Sequence, residues 1–412
     1  MCPDSDREMP IRRAHGGDVR QRGFPDRASV DEAIAWVDRH TPGLSFEEVR
    51  VEQARGRIPK TPWSAPADLP ATDCACVDGY AVRSAETIGA GNYNPLRFRV
   101  QEHDGPLLPG SVALVASGEA LPQGADAVLP FEAVQAHLDA LDVSSPVAPG
   151  TGIARKAEQV RAGSTLLESA QPLRPQDLGL LASLGLKSLQ VVRRPRVQLA
   201  IAGPKPGRGS ASGDADGPML AALVARDGGI VDTLCADISG RDALARAIAG
   251  SRADLVLVAG RTATGMDDES PLALAAAGEV AIHGIALRPG GSAGMGRVGA
   301  TPAFLLPGDP LACLCAYDLF PGRMIRGLSG RDPGLPYPVG EFELRRKIVS
   351  AVGLVDWYRV RLVGGGVEPL GGVESGGLAS AVRADGFVLV PASLEGYPPG
   401  KRVTVHLYRE AH

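Results

Sequence analysis

An alternation of strand-like and helix-like segments between Arg196 and Phe320 constrains the fold more than any other feature of the sequence. Short apolar runs such as RVQLAIAG and ADLVLVAG stop at Gly/Pro loops, and apolar helical segments such as PMLAALVARDGG follow. Strands and helices that alternate at this spacing form a mostly parallel sheet covered by helices. The sequence therefore predicts a central three-layer α/β domain over residues 196–330, with ligands bound beyond the carboxyl ends of its strands.

The flanking segments are richer in turns. Ser29 is a candidate N-cap for the amphipathic helix SVDEAIAWVDRH. The chain from Trp63 to Pro149 alternates short strands with Gly/Pro turns, and the C-terminal part repeats this pattern. The predicted organisation is a disordered polar tail over residues 1–28, a helix and β-rich module over 29–195, the α/β domain, and a small C-terminal β domain over 331–412.

Composition excludes several classes of protein. The 412 residues are 44% hydrophobic and 22% charged, with a net charge of -4. No apolar run approaches the roughly 20 residues that a membrane-spanning helix needs. The slight acidic excess argues against a nucleic-acid partner, whose binding surface would be basic. The first residues lack the apolar stretch of a secretory signal, so we expect a cytoplasmic globular protein without membrane or nucleic-acid partners.

The stretch ATDCACVDGYAV places Cys74 and Cys76 in a C-x-C spacing, which is repeated at Cys313 and Cys315. Structural zinc sites usually space their ligands C-x₂₋₄-C and recruit a second pair or histidines nearby, and no histidine flanks either pair. We therefore interpret these cysteines as small residues at buried positions. An Asp-Gly-Tyr run follows the first pair, and we expect Gly79 to permit a sharp turn there.

Three loops of the predicted α/β domain follow apolar strands and lead toward helices. They are GPKPGRGSASGDADG after Ala202, GRTATGMDDES after Ala259, and PGDP after Leu306. Free N–H groups and the helix dipole favour an anion at such positions, which predicts a phosphorylated or oxyanionic ligand. Glycine-rich strand-to-helix turns also occur for purely geometric reasons, so a structural role remains the alternative.

The middle loop also contains the carboxylates Asp267, Asp268 and Glu269. Acidic residues at this position often cap a helix. A Mg²⁺ ion that bridges a pyrophosphate, however, takes one or two carboxylates in addition to phosphate oxygens and waters. Asp237, at the end of the neighbouring predicted strand, is a candidate for a second oxygen ligand.

The motifs of the chain, taken in order, resemble those of the molybdopterin molybdenumtransferase family, whose members are similar to the C-terminal part of gephyrin. The segments that carry the resemblance are PATDCACVDGYAVR, ASGEALPQGADAVL, RKAEQVRAGSTLL, AGRTATGMDDES, ALRPGGSAGMG and LLPGDPLA. The resemblance covers nearly everything from about Val30 to the C-terminus. It implies an α/β domain of the molybdopterin-binding type.

The resemblance also implies an activity and a set of site residues. The activity is insertion of molybdate into adenylated molybdopterin with release of AMP, assisted by Mg²⁺, in an elongated homodimer. Its site lies between the α/β domain of one subunit and the β module and C-terminal domain of the other. Expected partners are an upstream adenylyltransferase and a recipient molybdoenzyme. The implied catalytic residues are Asp78, Glu158, Asp237 and Asp268, with Asp78 and Asp268 also as metal ligands; the implied cofactor-binding residues are Ser117, Gly260, Arg288, Gly308, Arg359 and Ser375.

The sequence departs from the family pattern at positions close to the chemistry. Gln159 and Lys205 stand where the family has acidic residues, and Gly291 stands where it has a lysine. Asp309 and Ala312 replace an Asn and a Ser. A cation such as Lys205 cannot coordinate Mg²⁺, although it could attract an oxyanion directly. Arg288 keeps one positive charge of the Gly291 loop and is suited to bidentate contacts.

Three hypotheses for the function follow. The leading one is an active transferase with a rearranged site. The second is a catalytically impaired paralogue that binds molybdopterin or the finished cofactor and delivers it to a specific molybdoenzyme, which the changes at Gln159 and Lys205 would favour. The third is a structural scaffold. A scaffold role would not explain why Asp78, Asp268 and Arg359 all match site residues of the family.

Overall fold

A computed structural model describes residues 18–43, 45–102, 105–137, 139–168, 171–203 and 214–409 of the chain. The chain divides into two compact units. The β unit consists of Glu48–Arg55 and Pro59–Gln190, and the α/β unit of Met1–Glu47, Gly56–Ile58 and Val191–His412. Within the described ranges, no helix is long and apolar enough to cross a membrane. Pro204 and Lys205 lie outside the described residues.

The first helix, α1 (Val30–His40), is followed by strand β1 (Phe46–Arg50). The hydroxyl of Ser29 accepts the Glu32 N–H at 3.1 Å, and the Ser29 N–H donates to the Glu32 carboxylate at 2.8 Å. This reciprocal capping box confirms the helix start that the sequence predicted. The helix packs Trp36 and Val37 into the core of the α/β unit. It therefore packs with that unit, whereas the predicted organisation grouped it with residues 29–195.

Residues 18–28 are attached to the α/β unit. The Gln21 N–H donates to the Thr264 carbonyl at 2.8 Å, and the Ala28 N–H donates to the Gly284 carbonyl at 3.0 Å. The prediction of a disordered tail is therefore wrong for this part of residues 1–28. The sequence did not predict this ordered segment, because these contacts are backbone hydrogen bonds and leave no pattern of apolar residues. Residues 1–17 lie outside the described residues.

The β unit is built around one main sheet, as the strand pattern predicted. Its strands are β2 (Trp63–Ser64), β3 (Cys74–Ala75), β4 (Gly79–Val82), β5 (Leu96–Gln101), β6 (Ser111–Val115), β7 (Ala127–Pro130), β8 (Val134–Ala136), β9 (Ala140–Val143), β10 (Ile153–Ala154) and β11 (Thr165–Leu167). The main sheet has the order β7-β4-β6-β5-β9-β8, and β3 pairs with β10. Helix α2 (Pro175–Ser183) and strand β12 (Ser188–Val192) follow.

The α/β unit contains the predicted alternation of strands and helices. The elements are β13 (Arg196–Ala202), α3 (Asp216–Arg226), β14 (Ile230–Ile238), α4 (Arg241–Ala249), β15 (Leu255–Ala259), α5 (Ser270–Ala277), β16 (Glu279–His283), β17 (Leu287–Arg288), β18 (Gly294–Val298), β19 (Thr301–Leu306), α6 (Pro310–Leu319) and α7 (Pro321–Leu328). The sheet order is β14-β13-β15-β19-β18-β16. Strands β14, β13, β15 and β19 are parallel, which confirms the mostly parallel sheet.

Strand β18 was not predicted, because glycines obscure its pattern. It runs antiparallel to both β16 and β19. A Cβ atom built at Gly294 would lie 2.7 Å from the Ile282 carbonyl oxygen, and one at Gly296 would overlap the Glu279 carbonyl. Side chains are excluded there by the close approach of β16, so this strand lacks the Val/Ile signature of its neighbours.

The C-terminal part of the α/β unit is a second sheet. Its elements are β20 (Val339–Leu344), β21 (Ile348–Val349), β22 (Val355–Val363), β23 (Gly366–Pro369), α8 (Gly377–Arg383), β24 (Gly386–Val390), β25 (Gly396–Tyr397) and β26 (Arg402–Leu407). The sheet order is β17-β22-β23-β20-β26-β24. Strand β17 lies between β16 and β18 in the sequence but pairs in parallel with β22, so it belongs to this second sheet, and the pairing places Arg288 beside Asp356.

A buried network of charges connects α3, α6, α7 and the segment before β20. Arg226 donates to the Asp318 carboxylate at 2.5 Å, and the Tyr337 hydroxyl donates to the same carboxylate at 2.8 Å. Arg326 donates to Asp227 at 3.0 Å. Both carboxylates are fully buried. Removal of one member of such a network leaves an uncompensated charge in the core, which costs far more than loss of a surface pair.

We predict that Asp318→Ala lowers the free energy of unfolding by about 3–5 kcal/mol, because it leaves Arg226 with only one of its two carboxylate partners, Asp227, and the Tyr337 hydroxyl without its acceptor. Asp38→Ala is the matched control, since Asp38 is 48% exposed and pairs with Arg323 on α7 at 2.6 Å. It should cost about 1 kcal/mol or less. Urea unfolding of the two variants measures both values. Equal losses for the two variants would contradict the role given to the buried network.

Candidate functional site

Three parallel strands end at the same edge of the central sheet, and their loops form the candidate site. Strands β13, β15 and β19 are followed by Gly203, Gly260 and Pro307. The Gly260 N–H donates to the Leu306 carbonyl at 3.0 Å. A Cβ atom at Gly308 would lie 3.1 Å from the Gly260 Cα, so the two loops touch through their backbones. This contact, the Gly260–Gly308 ridge, separates two cavities.

The acidic cavity lies on one side of the ridge. It has a volume of about 380 Å³ and is lined by Gly203, residues 260–263 and the ridge glycines, with three carboxylates: Asp216, Asp268 and Asp309. These carboxylates come from three different parts of the chain, at the start of α3, before α5 and before α6. Three negative charges therefore lie around one cavity.

Asp216 carries the clearest sign of this crowding. It is 8% exposed, and its Oδ1 atom has no hydrogen-bond partner among the described residues. Burial, and then the charges of Asp214 and Asp309, raise its pKa from 3.8 to about 6, against a smaller lowering by the Cys313 thiol. An unpartnered buried carboxylate oxygen is costly unless a ligand or cation reaches it.

Asp268 is 5% exposed and accepts the Gly265 N–H at 2.7 Å. It precedes α5, and the N-cap of that helix is Glu269, whose side chain makes no capping hydrogen bond. Asp268 therefore accepts a hydrogen bond from within its own loop. It is not the N-cap residue of α5, which was the alternative role considered for these acids. Asp237 lies in β14, and its side chain is outside the described residues. Its role as a second ligand stays a prediction.

His283 supports the loop between β15 and α5. Its Nε2 donates to the Thr262 carbonyl at 2.8 Å, and the side chain is 3% exposed. Burial lowers the pKa of His283, so the imidazole is neutral at physiological pH. The Thr262 and Ser292 hydroxyls lie 3.2 Å apart and tie this loop to the one after β17.

The basic cavity lies on the other side of the ridge. It has a volume of about 700 Å³ and is lined by Phe24, Arg27, residues 287–292, residues of the 307–312 loop, Leu354 and Glu374. Arg288 donates from Nε and Nη2 to the two carboxylate oxygens of Asp356 at 2.8 and 2.7 Å. Asp356 is fully buried, and its charge raises the pKa of Arg288. The structure thus places the predicted cofactor-binding residue Arg288 in the cavity wall, with its charge already paired.

Asp309 stands at the boundary of both cavities and caps α6. Its carboxylate accepts the Ala312 N–H at 2.9 Å. A negative charge thus already occupies the helix N-terminus at which the PGDP loop was expected to bind an anion. An anion in the basic cavity would therefore depend on side-chain cations more than on this helix end.

Arg359 and Ser375 are brought together, but not as a pair of exposed ligands. Arg359 is 2% exposed and donates to the Ser380 hydroxyl at 2.9 Å and to the Ser375 carbonyl at 2.7 Å, with further bonds to nearby carbonyls. Burial lowers its pKa. The guanidinium thus holds the loop that carries Glu374 to the rim of the basic cavity. Direct contact of Arg359 or Ser375 with an anion stays a prediction.

The β unit brings Asp78 and Ser117 into contact. The Asp78 carboxylate accepts the Ser117 N–H at 2.7 Å, and the Ser117 hydroxyl donates to the Cys76 carbonyl at 3.0 Å. Glu158 accepts the Arg155 N–H at 2.6 Å, on the loop that follows β10, the partner strand of β3. Both Asp78 and Glu158 are exposed, as is Gln159. The structure thus places these predicted residues on loops that flank β3.

Two expectations about the stretch around Asp78 need correction. Gly79 lies inside strand β4, and a Cβ atom there would overlap the Leu129 carbonyl of β7. The glycine is therefore required by the close approach of β7 and not by a turn. Cys74 is buried as expected, whereas Cys76 is exposed. In the described ranges no three His, Cys, Asp or Glu side chains are grouped to hold a metal ion.

Sequence reasoning missed two residues of the cavities, Asp216 and Arg27. Asp216 was passed over as part of a Gly/Pro loop, although the Asp-Gly-Pro run marks the first turn of a helix. Arg27 was assigned to the disordered tail. No local pattern identifies it, because its position depends on contacts with residues more than 250 positions away.

Comparisons with known proteins agree with this architecture. Residues 28–185 match the MoeA N-terminal region (domain I and II), residues 208–325 a probable molybdopterin binding domain, and residues 341–408 the MoeA C-terminal region (domain IV). The chain is 34% identical over 340 residues to molybdopterin molybdenumtransferase 2 of Mycobacterium tuberculosis, which covers 73% of this chain and 83% of that protein.

Two further relatives extend the similarity along the chain. A putative molybdopterin biosynthesis protein of Methanocaldococcus jannaschii is 29% identical over 383 residues, covering 88% of this chain and 92% of that protein. The crystal structure of a molybdopterin biosynthesis MoeA protein from Pyrococcus horikoshii superimposes with a TM-score of 0.73 at 28% identity, covering 94% of this chain and all of that chain.

The raised pKa of Asp216 predicts a pH-dependent effect of Asp216→Asn. Below pH 4 the side chain is protonated in both folded and unfolded states, so the variant should match the wild type. Between pH 4 and pH 6 the unfolded state ionises first, and the wild type loses stability that the variant keeps. At pH 8 the variant should be more stable by about 2–3 kcal/mol. Urea unfolding at pH 4 and pH 8 measures the difference, and an equal effect at both pH values would contradict it.

Proposed function

We propose, from the premise that this chain belongs to the molybdopterin molybdenumtransferase (MoeA) family and has a role in molybdenum cofactor biosynthesis, that it inserts molybdate into adenylated molybdopterin with release of AMP. The observation that carries the proposal is the pair of cavities that adjoin at the Gly260–Gly308 ridge. Carboxylates outnumber cations in the first, which is lined by Asp216, Asp268, Asp309 and Arg261, whereas the second contains two arginines, Arg27 and Arg288, beside Asp309 and Glu374. A substrate with a diphosphate and a metal counterion needs groups of both signs.

The acidic cavity fits Mg²⁺. The Oδ1 atom of Asp216 is buried and has no partner among the described residues. Burial, followed by the charges of Asp214 and Asp309, raises the pKa of the Asp216 carboxyl, and a divalent cation would stabilise its ionised form. Mg²⁺ is usually held by one or two carboxylates together with substrate phosphates and water. Asp216 and Asp268 are the side chains that would hold it. When bound, the ion would supply neutralisation of phosphate charge.

The remaining contributions come from the chain's own residues. Because Gly260 and Gly308 have no side chains, the backbone of the ridge can approach the substrate closely. The neutral His283 and the Thr262–Ser292 contact hold the loops around the cavities in place. Preorganised groups of this kind stabilise developing charge without reorganising during the reaction. In the reaction an oxygen of water or of molybdate bonds to the phosphorus of the pterin phosphate as the phosphoanhydride bond of the adenylated substrate breaks, and AMP leaves.

The other predicted features belong to the same proposal. Asp78, Ser117 and Glu158 of the β unit are proposed to contribute a second set of polar groups. The homodimer, the cytoplasmic location, the upstream adenylyltransferase and the recipient molybdoenzyme remain predictions taken from the resemblance.

A second candidate function is binding and delivery of molybdopterin or the finished cofactor without turnover. The observation that favours it is the bidentate pairing of Arg288 with Asp356, which neutralises one cation of the basic cavity. The substitution of an acid by the exposed Gln159 favours it as well.

The proposed function predicts that Asp268→Asn lowers the rate of AMP release by about 10²-fold or more, since the variant keeps the shape of the side chain but loses its charge. Purified protein is supplied with adenylated molybdopterin, molybdate and Mg²⁺, and AMP is measured over time. Asp267→Asn is the matched control. It is the same change at the neighbouring exposed carboxylate, which does not line the cavity, and it should release AMP at the wild-type rate.

The assay separates the two functions. Tight binding of the adenylated pterin by the wild type with no AMP release would favour the delivery function and contradict the transferase. AMP release that is unchanged in Asp268→Asn would contradict the place given to the acidic cavity in the reaction.

A further inference from the structure

Arg27 extends from the N-terminal segment into the basic cavity. Its guanidinium lies over Gly291, where a Cβ atom would be 2.8 Å from the Arg27 Nη1. The absence of a side chain at position 291 therefore provides the space that Arg27 occupies. The side chain is exposed to the cavity, and residue 27 precedes the region matched by the MoeA N-terminal family.

Two contacts fix the segment that carries Arg27. The Ala28 N–H donates to the Gly284 carbonyl at 3.0 Å, and the Ala286 N–H donates to the Ala28 carbonyl at 2.8 Å. The Phe24 ring packs over Gly284, in space that a side chain there would fill, and meets the His283 ring edge-on at 5.1 Å. The absence of side chains at Gly284 and Gly291 thus makes room for Phe24 and Arg27 respectively. These contacts hold the segment against the loop that lines the cavity.

The charge of Arg27 is not neutralised by a carboxylate. In the part of the chain that the structure describes, Arg27 forms no ion pair; its guanidinium carbon lies 5.5 Å from the centre of the Phe24 ring. A cation–π contact of this kind orients the guanidinium but leaves its N–H donors available. Arg288, in contrast, donates to both oxygens of the buried Asp356, which also accepts the Ser350 hydroxyl at 2.7 Å.

Two carboxylates, Asp309 and Glu374, also line the basic cavity. Asp309 accepts the Ala312 N–H at the start of α6. The charge of Glu374 acts on Arg288. Arg27 is therefore the cation of this cavity whose hydrogen-bond donors are not taken by these acids.

We propose that Arg27 binds a tetrahedral oxyanion of the substrates in the basic cavity, either the diphosphate of the adenylated pterin or molybdate. This inference rests on the proposed function and adds a binding residue to it. A guanidinium presents a planar fork of N–H donors that matches two oxygens of such an anion at once, and a lysine ammonium does not.

The test measures equilibrium binding to the full chain by calorimetry at low salt, with pyrophosphate, molybdate and adenylated molybdopterin as separate probes. Arg27→Ala should weaken binding by about tenfold to a hundredfold, as expected for loss of a charged hydrogen-bond donor. Arg27→Lys should recover part of the affinity. Arg22→Ala is the matched control, because it removes the same charge from the same exposed segment outside the cavity.

The probes distinguish the two anions. Weaker binding of pyrophosphate with unchanged binding of molybdate assigns Arg27 to the diphosphate, and the reverse assigns it to molybdate. In either case the adenylated pterin reports on the complete substrate. A wild-type protein that binds none of the three probes, or an Arg27→Ala variant that binds all three as the wild type does, overturns the inference.

A double variant that moves the positive charge to a neighbouring position controls for loss of structure. Gly291→Lys in the Arg27→Ala background places a cation in the space that Arg27 has vacated, and it should restore binding that the single variant loses. Unchanged thermal midpoints show that the single variant is folded. If binding depends on Arg27 but the wild type releases no AMP, the inference stands and the transferase proposal fails. If AMP release has the same kcat and KM in Arg27→Ala as in the wild type, the inference fails and the transferase proposal stands.

Discussion

Strands β15 and β19 end in loops whose glycines touch, and both cavities of the site depend on this contact. A Cβ atom at Gly308 would lie 3.1 Å from the Gly260 Cα, so a side chain there would push the two loops apart by a few tenths of an ångström. The contact is possible because the two strands are parallel and paired, so that their carboxyl ends meet at one edge of the sheet. A ridge without side chains results, with three carboxylates and Arg261 around one cavity and with Arg27, Arg288, Asp309 and Glu374 around the other.

Charge on the two sides of the ridge is arranged in different ways. On the acidic side the Oδ1 atom of Asp216 has no hydrogen-bond partner among the described residues, and burial, followed by nearby carboxylates, raises the pKa of Asp216. On the basic side Arg288 has a structural partner. The pairing of β17 with β22 sets Arg288 opposite Asp356, and this salt bridge holds the loop after β16 to the C-terminal sheet. The cavity then depends on Arg27, which arrives from the N-terminal segment.

The sequence predicted most of the fold but only part of the site. Apolar periodicity located α1 and the alternating elements of the central domain, because burial of one face dictates both. It did not reveal β18, where glycines replace the usual apolar residues to admit β16. Asp268 was found because acids before a helix form a visible pattern. Arg27 was not found, because its function depends on glycines at 284 and 291 that are distant in sequence, and Gly79 was assigned to a turn although a neighbouring strand explains it.

A crystal structure of the protein with adenylated molybdopterin and Mg²⁺ tests the central claim most directly. The account predicts that the substrate crosses the Gly260–Gly308 ridge, with phosphate oxygens within hydrogen-bonding distance of Arg27 in the basic cavity. It also predicts a metal ion in contact with Asp216 or Asp268 in the acidic cavity. A substrate bound away from the ridge, or a metal ion held by neither carboxylate, would contradict the account.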